Sequence, residues 1–69
     1  MTQLRVVVNG EDRRIVAPAS LLDLLGQLGL DPRTVVVELN REIVRRPLLA
    51  DTPVADGDSI ELVHFVGGG

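Results

Sequence analysis

Apolar and polar positions alternate at the start of the chain, with Leu4, Val6 and Val8 on one parity and Arg5, Val7 and Asn9 on the other. A period of two with β-branched residues predicts a strand. Asn9-Gly10 follows. Both residues tolerate the positive φ of a type I′ turn, so a hairpin returns through Arg13, Arg14, Ile15, Val16 and Ala17. Pro18 ends this second strand, because proline has no N–H for a sheet ladder. The period then changes. Leu21, Leu24, Leu25 and Leu28 stand at i, i+3, i+4 and i+7, the apolar stripe of a helix. Ser20 is placed to cap it, and Asp23 lies in the first turn, where the helix dipole favours an acid. Gly29 suits the position just past the helix, and Asp31-Pro32 prevents its continuation. Gly26 inside the helix costs roughly 1 kcal/mol relative to Ala, so the helix depends on docking against a sheet.

A third strand is expected over Val35, Val36, Val37, Glu38 and Leu39, with a turn at Asn40-Arg41 and a short strand at Ile43-Val44. Residues 45–58 read as irregular, punctuated by Pro47 and Pro53 and closed by a turn at Asp56-Gly57-Asp58. The last strand runs from Ser59 to Val66, with Ile60, Leu62 and His64 alternating against Glu61, Val63 and Phe65. It leads directly into Gly67-Gly68-Gly69. One helix and five strands make an α+β fold of two layers, with one sheet face on the leucine stripe and the other towards solvent. Residues 1–66 form the expected domain and 67–69 a flexible tail. If Ile60 and Leu62 face the helix, Val63 and Phe65 project from the open face beside the tail, where exposed apolar surface signals a partner site.

Composition narrows the function. A chain of 69 residues has room for one core and no second domain in which to build a cleft. Hydrophobic residues make up 45% and Phe65 is the sole aromatic, so the core is aliphatic. Cysteine is absent, which removes disulfides, Cys-ligated zinc and thiol nucleophiles together. The net charge is −3 and every basic residue is Arg, which leaves neither the electrostatic footprint nor the stacking platform for nucleic acid. Arg41, Arg45 and Arg46 form a local basic cluster, read as a solvated face or as a surface for an acidic partner. The first residues lack the basic and apolar regions of a signal peptide, and no apolar run approaches the ~20 residues of a membrane span. A cytoplasmic protein is expected.

The catalytic inventory is thin. His64 is the one histidine and reads as a strand residue, while Ser20 and Ser59 are explained as a cap and a strand start. No triad, metal cluster, phosphate loop or dinucleotide fingerprint can be assembled, so no metal or cofactor is expected on this chain. Glu11-Asp12 and the pair Asp56 and Asp58 sit in turn contexts, where capping and solvated roles are the default. The terminus remains. An α-carboxylate has a pKa near ~3.3–3.7 and is an anion at neutral pH, able to attack an activated phosphate. Three glycines leave it uncrowded and reach about 10 Å when extended. Alone they also read as a frayed end; their position directly after an apolar strand, with no polar spacer, favours a tail built to enter a channel.

These residues resemble the sulfur carrier family of thiamin biosynthesis, which has a ubiquitin-like β-grasp fold with a mixed sheet of four to five strands. The resemblance covers essentially the whole chain. It is carried by Val-Asn-Gly-Glu at 8–11, Leu-x-Leu-Leu at 22–25, Val-x-Leu-Asn-x-Glu-Ile-Val at 37–44 and Asp-Gly-Asp-x-Ile-Glu-Leu-Val-His-Phe-Val-Gly-Gly-Gly at 56–69. It implies that the chain is not an enzyme and that Gly69 is the modified residue, with Gly67 and Gly68 entering partner active sites. An E1-like adenylyltransferase would use ATP and magnesium to adenylate the Gly69 carboxylate. A persulfide donor, a cysteine desulfurase or rhodanese-like protein, would supply sulfur, and thiazole synthase would accept it from the thiocarboxylate. The family often has Gly at position 41 and Pro at position 45, where this chain has Arg. That implies a positive φ at Arg41, with a strain of order 1 kcal/mol. The alternatives are a small-subunit carrier for molybdopterin or another sulfur pathway, and a ubiquitin-like conjugation or binding module.

Overall fold

The computed structural model describes residues 2–65; Val66 and the expected tail at 67–69 lie outside them. The chain begins with a hairpin of β1 (Thr2–Val8) and β2 (Glu11–Ala17), continues through the helix α1 (Leu21–Gln27), and forms a second hairpin of β3 (Val35–Leu39) and β4 (Glu42–Val44). The last strand is β5 (Ser59–His64). Together they form one five-stranded sheet in the order β2-β1-β5-β3-β4. β5 therefore occupies the centre, parallel to β1 and antiparallel to β3.

Both hairpins use two-residue turns. Val8 pairs with Glu11 across Asn9 (φ 50°) and Gly10 (φ 82°), and Leu39 pairs with Glu42 across Asn40 (φ 49°) and Arg41 (φ 73°). Paired positive φ values are those of the type I′ turn, whose twist matches the flanking strands. Arg41 thus occupies the left-handed region, as the resemblance implied. Replacing it by Gly removes a strain of ~1–2 kcal/mol and adds unfolded-state entropy of ~0.4–1 kcal/mol. Arg41→Gly is expected to raise the Tm by a few degrees, read by thermal unfolding; an unchanged or lower Tm would contradict the strain.

The helix is specified at both ends. The Ser20 hydroxyl accepts from the Asp23 N–H at 3.0 Å while the Asp23 carboxylate accepts from the Ser20 N–H at 2.9 Å, a reciprocal capping box. Past the C-terminus, Gly29 takes φ 74° and its N–H reaches the Gly26 carbonyl at 3.1 Å, while the Leu30 N–H reaches Leu25 at 2.9 Å. This is the Schellman arrangement, which satisfies otherwise orphaned carbonyls. Leu21, Leu24 and Leu25 are buried, and Leu28 packs at the margin. They meet Val6, Val8, Ile15, Val35, Val37, Ile60 and Leu62 from one face of the sheet.

Two expectations about element bounds are corrected. Residues 45–58 are not irregular throughout: Arg46–Asp51 form a 3-10 helix that buries Leu49 under the sheet. Six residues are too few to show a helical period, and a 3-10 turn follows its own. A second 3-10 turn at Pro32–Thr34 follows the helix. The final strand ends at His64, although the Phe65 N–H still bonds the Thr34 carbonyl at 2.9 Å. In the Pro32–Thr34 turn, Asp31 accepts from the Arg33 backbone at 2.8 Å and pairs with its guanidinium at 2.9 Å. The Arg33 side-chain bonds, then the backbone bond, lower the Asp31 pKa to about 2. The folded value lies below the unfolded one, so this contribution is present above about pH 4 and is lost as pH falls towards 2. The pair is solvent-exposed, so the effect on stability is small.

Candidate functional site

The site is built around the end of β5. Ladder bonds support this strand from both sides. On the β3 side, Ile60, Glu61, Leu62, Val63 and His64 pair with Leu39, Glu38, Val37, Val36 and Val35. On the β1 side, pairing covers only Val7 with Ser59 and Val8 with Ile60. Asn9 then extends it: its N–H donates to the Ile60 carbonyl at 2.9 Å, and its side-chain carbonyl accepts from the Leu62 N–H at 2.7 Å. A side-chain amide presents the same donor and acceptor as a peptide, so Asn9 continues the ladder where the turn has already left. Sequence reasoning placed Asn9 at the end of the first strand and in the turn, with no bond to the last strand; its bond to Leu62 spans 53 residues and left no local signal.

The Asp56-Gly57-Asp58 turn fixes the start of β5. Asp56 accepts from the Arg5 N–H at 2.8 Å, Gly57 (φ 88°) donates to the Arg5 carbonyl at 2.7 Å, and Asp58 accepts from the Ala55 N–H at 2.7 Å. These carboxylates serve backbone amides. The other acidic pair is committed to ion pairs, Asp12 with Arg5 at 3.2 Å and Glu11 with Arg13 at 3.8 Å. Among the described residues, no three His, Asp or Glu groups gather as metal ligands. His64 ends β5 at the surface, opposite Val35.

Parity along β5 divides its side chains as expected. Ile60 and Leu62 are buried against the helix, while Val63 is 54% and Phe65 52% exposed. Val36 lies opposite Val63, and Ile43 lies opposite Glu38 on the same face. Ile43 is 67% exposed, so an apolar strip crosses the open face from β4 to the end of β5. Gly67, Gly68 and Gly69 follow and lie outside the described residues.

The ThiS family model matches residues 6–69. The sulfur carrier protein ThiS of Bacillus subtilis is 38% identical over 63 residues, covering 90% of this chain and 96% of that protein. A thiazole synthase of Paramagnetospirillum magneticum is 47% identical over 66 residues, and there the chain spans only 20% of the relative's length while 96% of this chain is covered. The crystal structure of the thiamine biosynthesis protein (ThiS) from Geobacter metallireducens superposes with a TM-score of 0.78 at 36% identity, covering 96% of this chain and 100% of that one. With the β-grasp order of strands, the capped helix and the match through Gly69, this chain belongs to the ThiS family.

Proposed function

We propose that this protein is a sulfur carrier of thiamin biosynthesis whose working group is the Gly69 carboxylate. The observation that carries the proposal is a family match running through Gly69, with the three glycines beginning three residues after the end of the central strand. The carboxylate attacks the α-phosphorus of ATP on an E1-like adenylyltransferase with magnesium, and pyrophosphate departs. The terminal sulfur of a persulfide donor then attacks the acyl carbon and AMP leaves with the former carboxylate oxygen. A thiol cleaves the resulting S–S bond, so sulfur remains on Gly69 as a thiocarboxylate. Activation is needed because a free carboxylate has no good leaving group, whereas the acyl adenylate does. The likeness to thiazole synthases supports thiazole synthase as the acceptor.

The carrier's own share is presentation. A tail without Cβ atoms can follow a narrow channel into a partner, and the strand that precedes it is ladder-bonded through His64. Intact mass after incubation with the cognate adenylyltransferase, ATP, magnesium and a persulfide source is the test. Exchange of oxygen for sulfur adds about 16 Da; oxidation of the Met1 thioether adds nearly the same, so fragmentation places the increment at Gly69 and not at Met1. No increment in a mixture that sulfurates a known carrier would refute the proposal.

The partner surface assigned here is Val63 with Phe65. Since Phe65 is 52% exposed, Phe65→Ala is expected to cost far less than the ~3–5 kcal/mol of a fully buried Phe. Affinity for the adenylyltransferase or thiazole synthase is expected to fall about tenfold or more, as for an aromatic anchor. Melting curves and titration calorimetry separate the two effects. A large loss of Tm with intact affinity would assign Phe65 to the core instead.

A further inference from the structure

The two edges of the sheet differ. At the β2 edge, the Gln27 side chain accepts from the Val16 N–H at 2.9 Å and donates to the Val16 carbonyl at 3.1 Å. The helix thereby closes part of that edge with its own amide, a usual protection against unwanted strand pairing. At the other edge, β4 pairs with β3 only over Val37, Glu38 and Leu39, whereas β3 begins at Val35 and pairs with β5 along its full length. After Val44 the chain turns away, because Pro47 has no N–H to continue a ladder and the 3-10 helix begins at Arg46. Among the described residues, no strand lies beside Val35 and Val36 where β4 would have continued.

An open groove of about 930 Å³ occupies that place. Val36, Ile43, Pro47 and Phe65 give it apolar walls, and Arg45 and Arg46 stand on its rim. Both arginines are exposed. The ion pairs among the described residues use Arg5, Arg13 and Arg33, and leave Arg45 and Arg46 uncommitted. Asp31 lies close enough to feel Arg46, but its carboxylate is bound by Arg33. The groove is therefore a locally positive, apolar slot on a molecule of net charge −3.

We propose that this groove receives an extended segment of a partner protein, apolar in its centre and flanked by carboxylates, laid beside β3 as the missing continuation of β4. Strand addition to an open edge supplies backbone bonds and leaves alternate side chains for specificity. Here the apolar side chains meet Val36, Ile43 and Phe65, and the carboxylates meet the guanidinium forks of Arg45 and Arg46, which suit bidentate pairing. The proposal extends the docking side of the sulfur-carrier function, and its test involves no sulfur chemistry, so the two can fail separately.

The test is a titration of the ¹⁵N-labelled full chain, followed by amide shifts, with two synthetic peptides. One is acetyl-Glu-Val-Ile-Val-Glu-amide and the other carries Lys in place of both Glu. The acidic peptide is expected to shift the Val36, Ile43, Arg45, Arg46 and Phe65 amides saturably, with a Kd at or below ~1 mM. The basic peptide is expected to bind at least tenfold more weakly, and Arg45→Glu/Arg46→Glu to reverse the order while leaving the Tm within a few degrees. Equal affinity for both peptides, shifts centred on the β2 edge, or no saturation at several times that concentration would overturn the proposal. So would concentration-dependent shifts of the same amides without peptide, which would assign the groove to a second copy of the chain.

Discussion

Adding one residue after Gly69 will abolish sulfuration while leaving the fold and the docking surface intact. The reason is covalent. In the proposed chemistry the nucleophile towards ATP is the α-carboxylate of Gly69, and an added residue converts that group into an amide. A carboxylate is ionised at neutral pH, with a pKa of ~3.3–3.7. A peptide carbonyl has no such anionic oxygen to offer the phosphate, and the new carboxylate stands about 3.5 Å further along the chain. In a channel that fits bare glycine, that displacement and the new side chain both misplace the reacting atom. An added Ala therefore tests the side chain with the reach, and an added Gly tests the reach alone. Both extended chains are expected to show no ~16 Da increment under conditions that modify the parent completely, and to bind the adenylyltransferase with similar affinity. If the extended protein is adenylated and sulfurated as well as the parent, Gly69 is not the reacting residue.

Much of this site is legible in the sequence because it follows from parity and turn chemistry. Ile60 and Leu62 against Val63 and Phe65 is a statement of period two, and the buried and exposed classes divide along it. Asn9-Gly10 announces its turn through its own conformational preferences. The turn at Asn40-Arg41 is read from its place between two strands, but the positive φ of Arg41 is not, since Arg seldom takes it, and the resemblance supplied that expectation. What stayed hidden depends on distant partners. The Asn9 side chain is a ladder member only because β5 arrives beside it, and Gln27 is an edge guard only because β2 runs past the helix end. Leu48 and Leu49 are neighbours of like hydrophobicity, yet Leu49 is buried and Leu48 is 55% exposed. Only the direction of the 3-10 helix decides between them. The groove at Val36 is similarly illegible, because it arises from β4 being shorter than β3, and strand bounds are the least certain part of any sequence reading.

Leu24→Ala is expected to bring the domain close to unfolding. Leu24 is fully buried at the centre of the stripe that seals the helix onto the sheet, so truncation removes transfer energy and leaves a cavity. Such substitutions cost ~2–5 kcal/mol, and a chain of this length has roughly 3–10 kcal/mol of stability in total. The neighbourhood has little means of closing the gap. The capping box and the Schellman arrangement fix both helix ends, and the core around it is aliphatic, without an aromatic ring to swing in. At roughly 4–8 °C per kcal/mol for a domain of this size, the Tm is expected to fall by at least ~10 °C. Leu22→Ala provides the contrast on the same helix. Leu22 is 38% exposed and off the stripe, so its removal is expected to cost well under half as much. Thermal unfolding followed by circular dichroism reads both. Equal losses for the two variants would mean that the helix is held by its propensity and caps and not by docking. In that case the loss of one leucine would leave the central strand as firmly placed as before.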